Sequence, residues 1–321
     1  MWIKNLTKPK CYCAPRIVLR CVIFFGVYSV EGAAVHFVKA KGILSAKNGM
    51  NVYRGCTHGC IYCDARSLCY NMQHKFEDIE VKENAPELLE SALRSKRRLC
   101  MIGTGAMCDP YAHCEKDLLI TRRCLEIIER YGYGIAVQTK SDMILRDLDL
   151  LKSINKKAKA VVQMTLTTAD DSLCRIVEPN VCPTSRRAEV LSIMRDSGIP
   201  TVIWLSPLLP FINDTEENLL GILEYAKTAG VKGIINFGMG LTLRDGDREY
   251  YYAALDRHFP GLKEKYIRTY KNAYELPSPN SERLWRVFAE KCAEYGIEYR
   301  ADKVFEYINT LDEEDEQLTL F

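Results

Sequence analysis

The run Tyr53-Arg-Gly-Cys-Thr-His-Gly-Cys-Ile-Tyr-Cys63 decides how this 321-residue chain is read. It sets cysteines at 56, 60 and 63, a C-x3-C-x2-C spacing, with Gly55 and Gly59 beside the first two. Thiolate is the ligand iron–sulfur chemistry prefers, so Cys56, Cys60 and Cys63 can hold three irons of a [4Fe–4S] cluster. No further cysteine follows at ferredoxin spacing, and Cys69 lies outside the run. One iron is then left with an open coordination position. The glycines suit a loop wrapped round a cuboidal cluster, since they tolerate unusual dihedrals and close backbone approach. A three-cysteine zinc site is the alternative. Zinc asks for a fourth Cys or His at regular spacing, and His58 sits too close to both neighbours to close a tetrahedron.

Outward from this loop the composition is that of an ordinary globular enzyme, with 47% hydrophobic and 27% charged residues. A net charge of +2 selects no class of partner. Fourteen cysteines scattered irregularly along a long chain do not form the disulfide framework of a small secreted protein. A thiol-rich chain with a labile cluster belongs in a reducing compartment, the cytoplasm. Near the amino terminus an apolar stretch at 22–30 is followed by Gly32-Ala33-Ala34, faintly like a secretory signal. At about ten residues it is far short of a membrane span. Residues 1–38 are therefore read as an extension outside the fold.

From Gly49 onward β-type runs at 50–54, 99–103, 134–138, 160–166, 201–205 and 233–237 alternate with helical patterns at 86–98, 115–131, 142–154, 184–197 and 215–229. Six such units predict an α/β fold, a partial (β/α)6 TIM-like barrel over 39–240 with its site at the carboxyl ends of the strands. Residues 241–310 read as a C-terminal helical cap and 311–321 as a flexible tail.

The cysteine loop resembles the signature of the radical S-adenosylmethionine (SAM) superfamily. That resemblance implies two cofactors, a [4Fe–4S] cluster and SAM, with SAM's amino and carboxylate groups on the fourth iron. An electron from a donor such as flavodoxin or ferredoxin then splits SAM into methionine and a 5′-deoxyadenosyl radical, which abstracts hydrogen from a substrate carbon. The implied SAM contacts begin with Tyr62 and with Gly105, Met107 and Cys108 of the segment Gly103-Thr-Gly-Ala-Met-Cys-Asp-Pro-Tyr111. Lys140 would pair with the carboxylate, and Thr165 and Thr167 share one strand face. Arg187, in an E-P-x7-R pattern with Glu178, together with Pro207, Asn236 and Gly238, completes the set.

In this order the segments of residues 40–240 resemble the spore photoproduct lyase branch, loosely called DNA photolyase-like. A tyrosine follows the third cluster cysteine in that branch, where this chain has Asp64. The branch's hydrogen-donating cysteine corresponds to Ala106, while Cys108 stands just before Asp109 and is the candidate donor here. The implied activity is a lyase-like DNA repair reaction. Modification of RNA or protein and a non-catalytic iron–sulfur adaptor are the alternatives. The chain ends Asp315-Glu316-Gln317-Leu318-Thr319-Leu320-Phe321. Gln317, Leu318, Leu320 and Phe321 resemble the peptide that docks bacterial replication and repair proteins on the DNA polymerase sliding clamp, with the apolar residues as anchors.

Overall fold

A computed structural model describes residues 27–30 and 33–312; the earlier part of the amino-terminal stretch and the terminal motif at 317–321 lie outside the described residues. Six parallel strands form the main sheet, in the order β10-β9-β8-β7-β6-β3. They are β3 (Gly49–Met50), β6 (Met101–Thr104), β7 (Gly134–Thr139), β8 (Ala160–Thr165), β9 (Thr201–Trp204) and β10 (Gly233–Ile235). Every residue of β8 is buried, as expected of a parallel strand covered on both faces. β3 and β10 do not pair, so the barrel stays open along that seam.

On the outer face lie α1 (Ala85–Ser95), α2 (Glu115–Leu118), α3 (Ile120–Arg130), α4 (Leu148–Lys157), α5 (Asp171–Val177), α6 (Thr184–Asp196) and α7 (Glu216–Ala229). Their apolar stripes meet Ile102, Ile135, Val162, Met164 and Ile203 of the sheet in one continuous core. Thr215 caps α7, its hydroxyl accepting from Asn218 N at 3.2 Å.

Three predicted elements break: the helix expected at 142–154 opens as a 3-10 turn over Asp142–Asp147 before α4, and the other two break for a visible reason. The strand expected at 50–54 divides into β3 and β4 (Tyr53–Arg54), because the chain leaves the main sheet to pair with β5 (Ile79–Lys82). The helix expected at 115–131 breaks at Leu119, which adopts φ 56°. Behind the break the fully buried Glu115 carboxylate accepts from Thr121 N (2.9 Å) and Arg122 N (3.3 Å), groups a continuous helix would bond internally.

The amino-terminal boundary is corrected by a second sheet, ordered β1-β2-β5-β4, with β1 at Val27–Val30 and β2 at Ala33–Val38. β2 runs parallel to β5 and buries Val35 completely, so residues before 39 belong to the fold.

After the barrel the chain divides its work. β11 (Gly240–Thr242) and β12 (Glu275–Pro277) form a two-stranded ribbon beside α8 (Asp247–His258) and α9 (Leu262–Tyr270). These bury Tyr251, Leu255 and Tyr266 against Ile61 and Tyr62 of the cysteine loop, as a cap does. α10 (Ser281–Tyr295) instead joins the outer layer beside α7. α11 (Ala301–Asn309) fills the concave face of the sheet, where Val304 and Ile308 meet Met101, Ala136, Val161, Val202 and Ile235. A Cβ on Gly233 would stand 2.7 Å from Val304 Cγ2, so glycine is what lets this helix lie against the start of β10. The buried Lys159 ammonium holds the helix's last carbonyls, Tyr307 O at 3.0 Å and Thr310 O at 3.1 Å.

Candidate active site

With α11 filling one end, the carboxyl ends of the strands open into a cavity of about 780 Å³. Cys56, Cys60 and Cys63 line one wall. Their loop is fixed from outside: Cys56 N donates to Phe76 O (2.9 Å) and Ile61 N to Val177 O (3.0 Å). Asn180 Nδ2 donates to Thr57 O at 2.8 Å. At Gly55, φ is 90° and a Cβ would lie 2.6 Å from Phe76 O, so no other residue fits. Burial raises all three thiols, Cys63 to about 11, so a metal must displace their protons on binding.

The residues present fit a cluster better than a zinc ion. The three sulfurs do not converge within 4.8 Å of one another, whereas zinc thiolates at about 2.3 Å would stand roughly 3.8 Å apart. The nearby fourth thiol is engaged elsewhere: Cys108 Sγ donates to Tyr53 O at 2.6 Å. His58 Nδ1 faces Asp109 Oδ2 at 3.5 Å, and burial lowers its basicity against that carboxylate's pull.

Asp109 is the residue that sequence reasoning used only as a landmark. Its carboxylate accepts from Tyr111 N (2.9 Å), Thr139 Oγ1 (2.7 Å) and Lys140 N (2.8 Å). It therefore joins the ends of β6 and β7 to the cysteine loop and sets where Lys140 begins. The Lys140 ammonium stands 6.0 Å from the centre of the Tyr62 ring. Burial works against its charge, but Cys60, Glu178 and Cys63 outweigh it, so its pKa rises.

Tyr62, Gly105, Met107 and Cys108 line the cavity, as do Lys140, Thr165, Pro207 and Gly238. Gly105 has φ 101°, and a Cβ there would lie 1.9 Å from Gln138 O. Thr167, Arg187 and Asn236 are placed behind the wall. Asn236 Oδ1 accepts from Gly238 N (2.6 Å), shaping the turn that presents Gly238. Thr167 is fully buried, and its carbonyl accepts from Asn213 and Asn218. The Arg187 guanidinium, fully buried, pairs with Glu178, donates to Thr165 O at 2.6 Å and reaches Cys174 Sγ at 2.9 Å. Glu178 accepts in turn from the Tyr62 hydroxyl. Burial pushes Glu178 up, but Arg187, Lys140 and the Tyr62 hydroxyl outweigh it and hold the carboxyl below its ordinary range. Arg187 thus acts through Glu178 on the orientation of Tyr62, at the cluster wall.

Another part of the lining is aromatic, and no motif announced it. Trp204 Nε1 donates to Gln163 Oε1 at 2.8 Å, which fixes its ring. Phe237, 65% exposed, stacks on Phe305 of α11 at 6.0 Å and meets Trp204 edge-on at 5.8 Å. Tyr274 adds a third ring, with the Arg244 guanidinium 5.0 Å over it. Arg244 also approaches Asp64 Oδ1 at 3.4 Å, and Tyr70 donates to Asp64 Oδ2 at 2.8 Å. That hydrogen bond, with burial, pushes the Tyr70 hydroxyl up to about 12.

A three-cysteine loop at the mouth of an open parallel barrel defines a class. The chain belongs to the radical SAM superfamily, whose family model matches residues 50–226. Its cofactors are a [4Fe–4S] cluster and SAM. An uncharacterized protein of Mycobacterium tuberculosis is 28% identical over 273 residues, covering 83% of this chain and 79% of that protein. Another, from Methanocaldococcus jannaschii, is 32% identical over 176 residues, covering 54% of this chain and 65% of that one. Among solved structures, spore photoproduct lyase with bound AdoMet and dinucleoside spore photoproduct shares the fold, with a TM-score of 0.57 at 11% identity. The match covers 83% of this chain and 81% of the lyase. Among the described residues no helix is long and apolar enough to cross a membrane.

Proposed function

We propose that this chain is a radical SAM enzyme that acts on DNA, in a lyase-like repair reaction. The observation that carries the reading is that cysteines and aromatic rings share one cavity. Cys56, Cys60 and Cys63 line the same cavity as Trp204, Phe237 and Tyr274, rings on which an unpaired base can stack. The lyase fold, solved with a dinucleoside photoproduct, supports the same substrate class.

When bound, a reduced [4Fe–4S] cluster and SAM would supply the one-electron chemistry that ends in hydrogen-atom abstraction from substrate carbon. Cys56, Cys60 and Cys63 would hold the cluster. Gly105 lets its segment pass close to Gln138 at the cavity edge, where it would meet the cofactor, and the Lys140 ammonium offers a charge for the cofactor's carboxylate. The Glu178–Arg187 pair keeps Tyr62 in place. Cys108 would return a hydrogen atom to a product radical, its S–H bond breaking as the new C–H bond forms, and an electron from the donor with a proton from water would restore the thiol. Burial raises its pKa and so keeps the thiol protonated.

Flavodoxin or ferredoxin would supply the electron, in the cytoplasm. The tail at 317–321 would dock on the sliding clamp, and a variant lacking those five residues should lose clamp binding while its catalysis is unchanged. The decisive experiment reconstitutes the cluster without oxygen, adds SAM and reductant, and measures 5′-deoxyadenosine with no nucleic acid, intact DNA, ultraviolet-damaged DNA or tRNA. Stimulation by damaged DNA is the expected result. Stimulation by tRNA alone overturns the DNA assignment and leaves the radical chemistry standing.

A further inference from the structure

On the far side of the cysteine loop from the cavity, three side chains from three segments converge. His36 lies on β2, Glu80 on β5, and His74 in the loop between β4 and β5. Their donor atoms all lie within 4.8 Å of one another, the one such group of His, Cys, Asp or Glu among the described residues. Register explains half of this: His36 and Glu80 are direct partners across the parallel β2–β5 pair and project from the same face. Val35, Ile79 and Val81 point the other way, into the core.

The hydrogen bonds around the imidazoles prepare them as ligands. His36 Nδ1 lies 3.0 Å from Asp78 Oδ1, and His74 Nδ1 lies 3.0 Å from the Lys75 carbonyl. A carboxylate and a carbonyl can only accept, so in the neutral tautomer that fits these bonds the proton sits on Nδ1 and Nε2 offers its lone pair. Tying the remote nitrogen to a carboxylate or a backbone carbonyl is how proteins orient metal-binding histidines. His74 Nε2 is buried without a hydrogen-bond partner and faces Glu80 Oε2 at 3.8 Å. The rings stand edge to face, 4.7 Å apart.

We propose that His36, His74 and Glu80 bind a divalent cation of the zinc type, with Asp78 and the Lys75 carbonyl holding the imidazoles in place. Two imidazoles and a carboxylate form a donor set that zinc accepts, leaving a fourth position for water. Bonds of about 2.0–2.1 Å put tetrahedral donors roughly 3.3 Å apart, so each side chain closes by under about 1 Å through ordinary torsions. Two carboxylates, Glu80 and Asp78, balance the charge.

Position gives the site a role. Between His74 and Asp78 lies Phe76, whose carbonyl anchors Cys56 N. The next residue, Glu77, pairs with Arg66 at 2.6 Å, just after the third cluster cysteine. An ion binding both ends of this loop and β2 stiffens the support of the cluster ligands.

The test titrates Zn2+ into the anaerobically reconstituted, full-length holoprotein, whose cluster cysteines already hold iron, and counts zinc and iron together. Chelator competition gives the affinity. One zinc per chain is expected, with slower amide exchange at Cys56 once it is bound. His74→Ala should abolish the zinc and leave the iron. Asp78→Asn, which keeps all three ligands, should weaken zinc by about 10–100-fold. The inference is overturned if the wild type takes up no zinc beyond the cluster, leaving an ion pair of His74 and Glu80 only. Zinc held equally by wild type and Asp78→Asn overturns it too, and that variant decides the matter if His74→Ala does not fold.

Discussion

The two walls of the cavity are built in opposite ways. On the cluster wall nearly every polar group is committed: Tyr62 to Glu178, Glu178 to Arg187, Arg187 to the Thr165 carbonyl, and Asp109 to three donors. On the aromatic wall Phe237 is held mainly by stacking, Tyr274 by the Arg244 guanidinium, which lies over its ring and donates to its hydroxyl at 2.9 Å, and Arg244 by exposed contacts. One wall tolerates no adjustment, because it must place a cofactor to within a fraction of an ångström. The other is joined to it chiefly through the exposed Arg244–Asp64 contact. The difference teaches where the chemistry ends and where substrate choice begins.

The contrast can be broken most severely at the cluster. Cys60→Ser should abolish 5′-deoxyadenosine formation altogether, with iron per chain falling in parallel. Glu178→Gln comes next, because it leaves the buried Arg187 charge unpaired. We expect a loss of about 3–5 kcal/mol of folding free energy in denaturant titrations. It should also change the acid limb of stability. Glu178's folded pKa is depressed, so its contribution is present above the unfolded carboxylate range and disappears as pH falls through the folded value. The glutamine variant should lack that loss.

On the aromatic wall the expected effects are smaller and of another kind. Phe237→Ala should weaken nucleic acid binding by about 1–3 kcal/mol, read as KM, with substrate-independent SAM cleavage unchanged. Arg244→Ala removes an exposed ion pair that solvent screens, and should alter KM least. If Phe237→Ala instead stops SAM cleavage without substrate, the separation of the walls fails.

Much of this was legible in the sequence because it is local. The cysteine loop, its glycines and the strand ends carrying Gly105 and Lys140 are written in short spacings, and the parallel strands in apolar runs. What escaped depends on contacts between distant segments. Arg187 and Glu178 were visible as a pattern, but only packing shows that they face each other behind the wall. Trp204, Phe237 and Tyr274 come from separate elements with no shared period. β2 escaped because its pairing partner, β5, lies some forty residues downstream, beyond any local pattern. That one helix would fill the barrel could not be read from α11's own amphipathic pattern, which fits an outer helix equally well.

That helix carries a consequence for synthesis. The strands are complete at Ile235, yet α11 begins only at Ala301. At translation rates of about 5–20 residues per second, the ribosome needs several seconds to make the roughly 65 residues between them. Throughout that interval Val161, Val202 and Ile235 lack their covering helix. The nascent barrel is then an open apolar trough, and a chaperone that shields it should raise the yield of intact protein more than any change at the cavity.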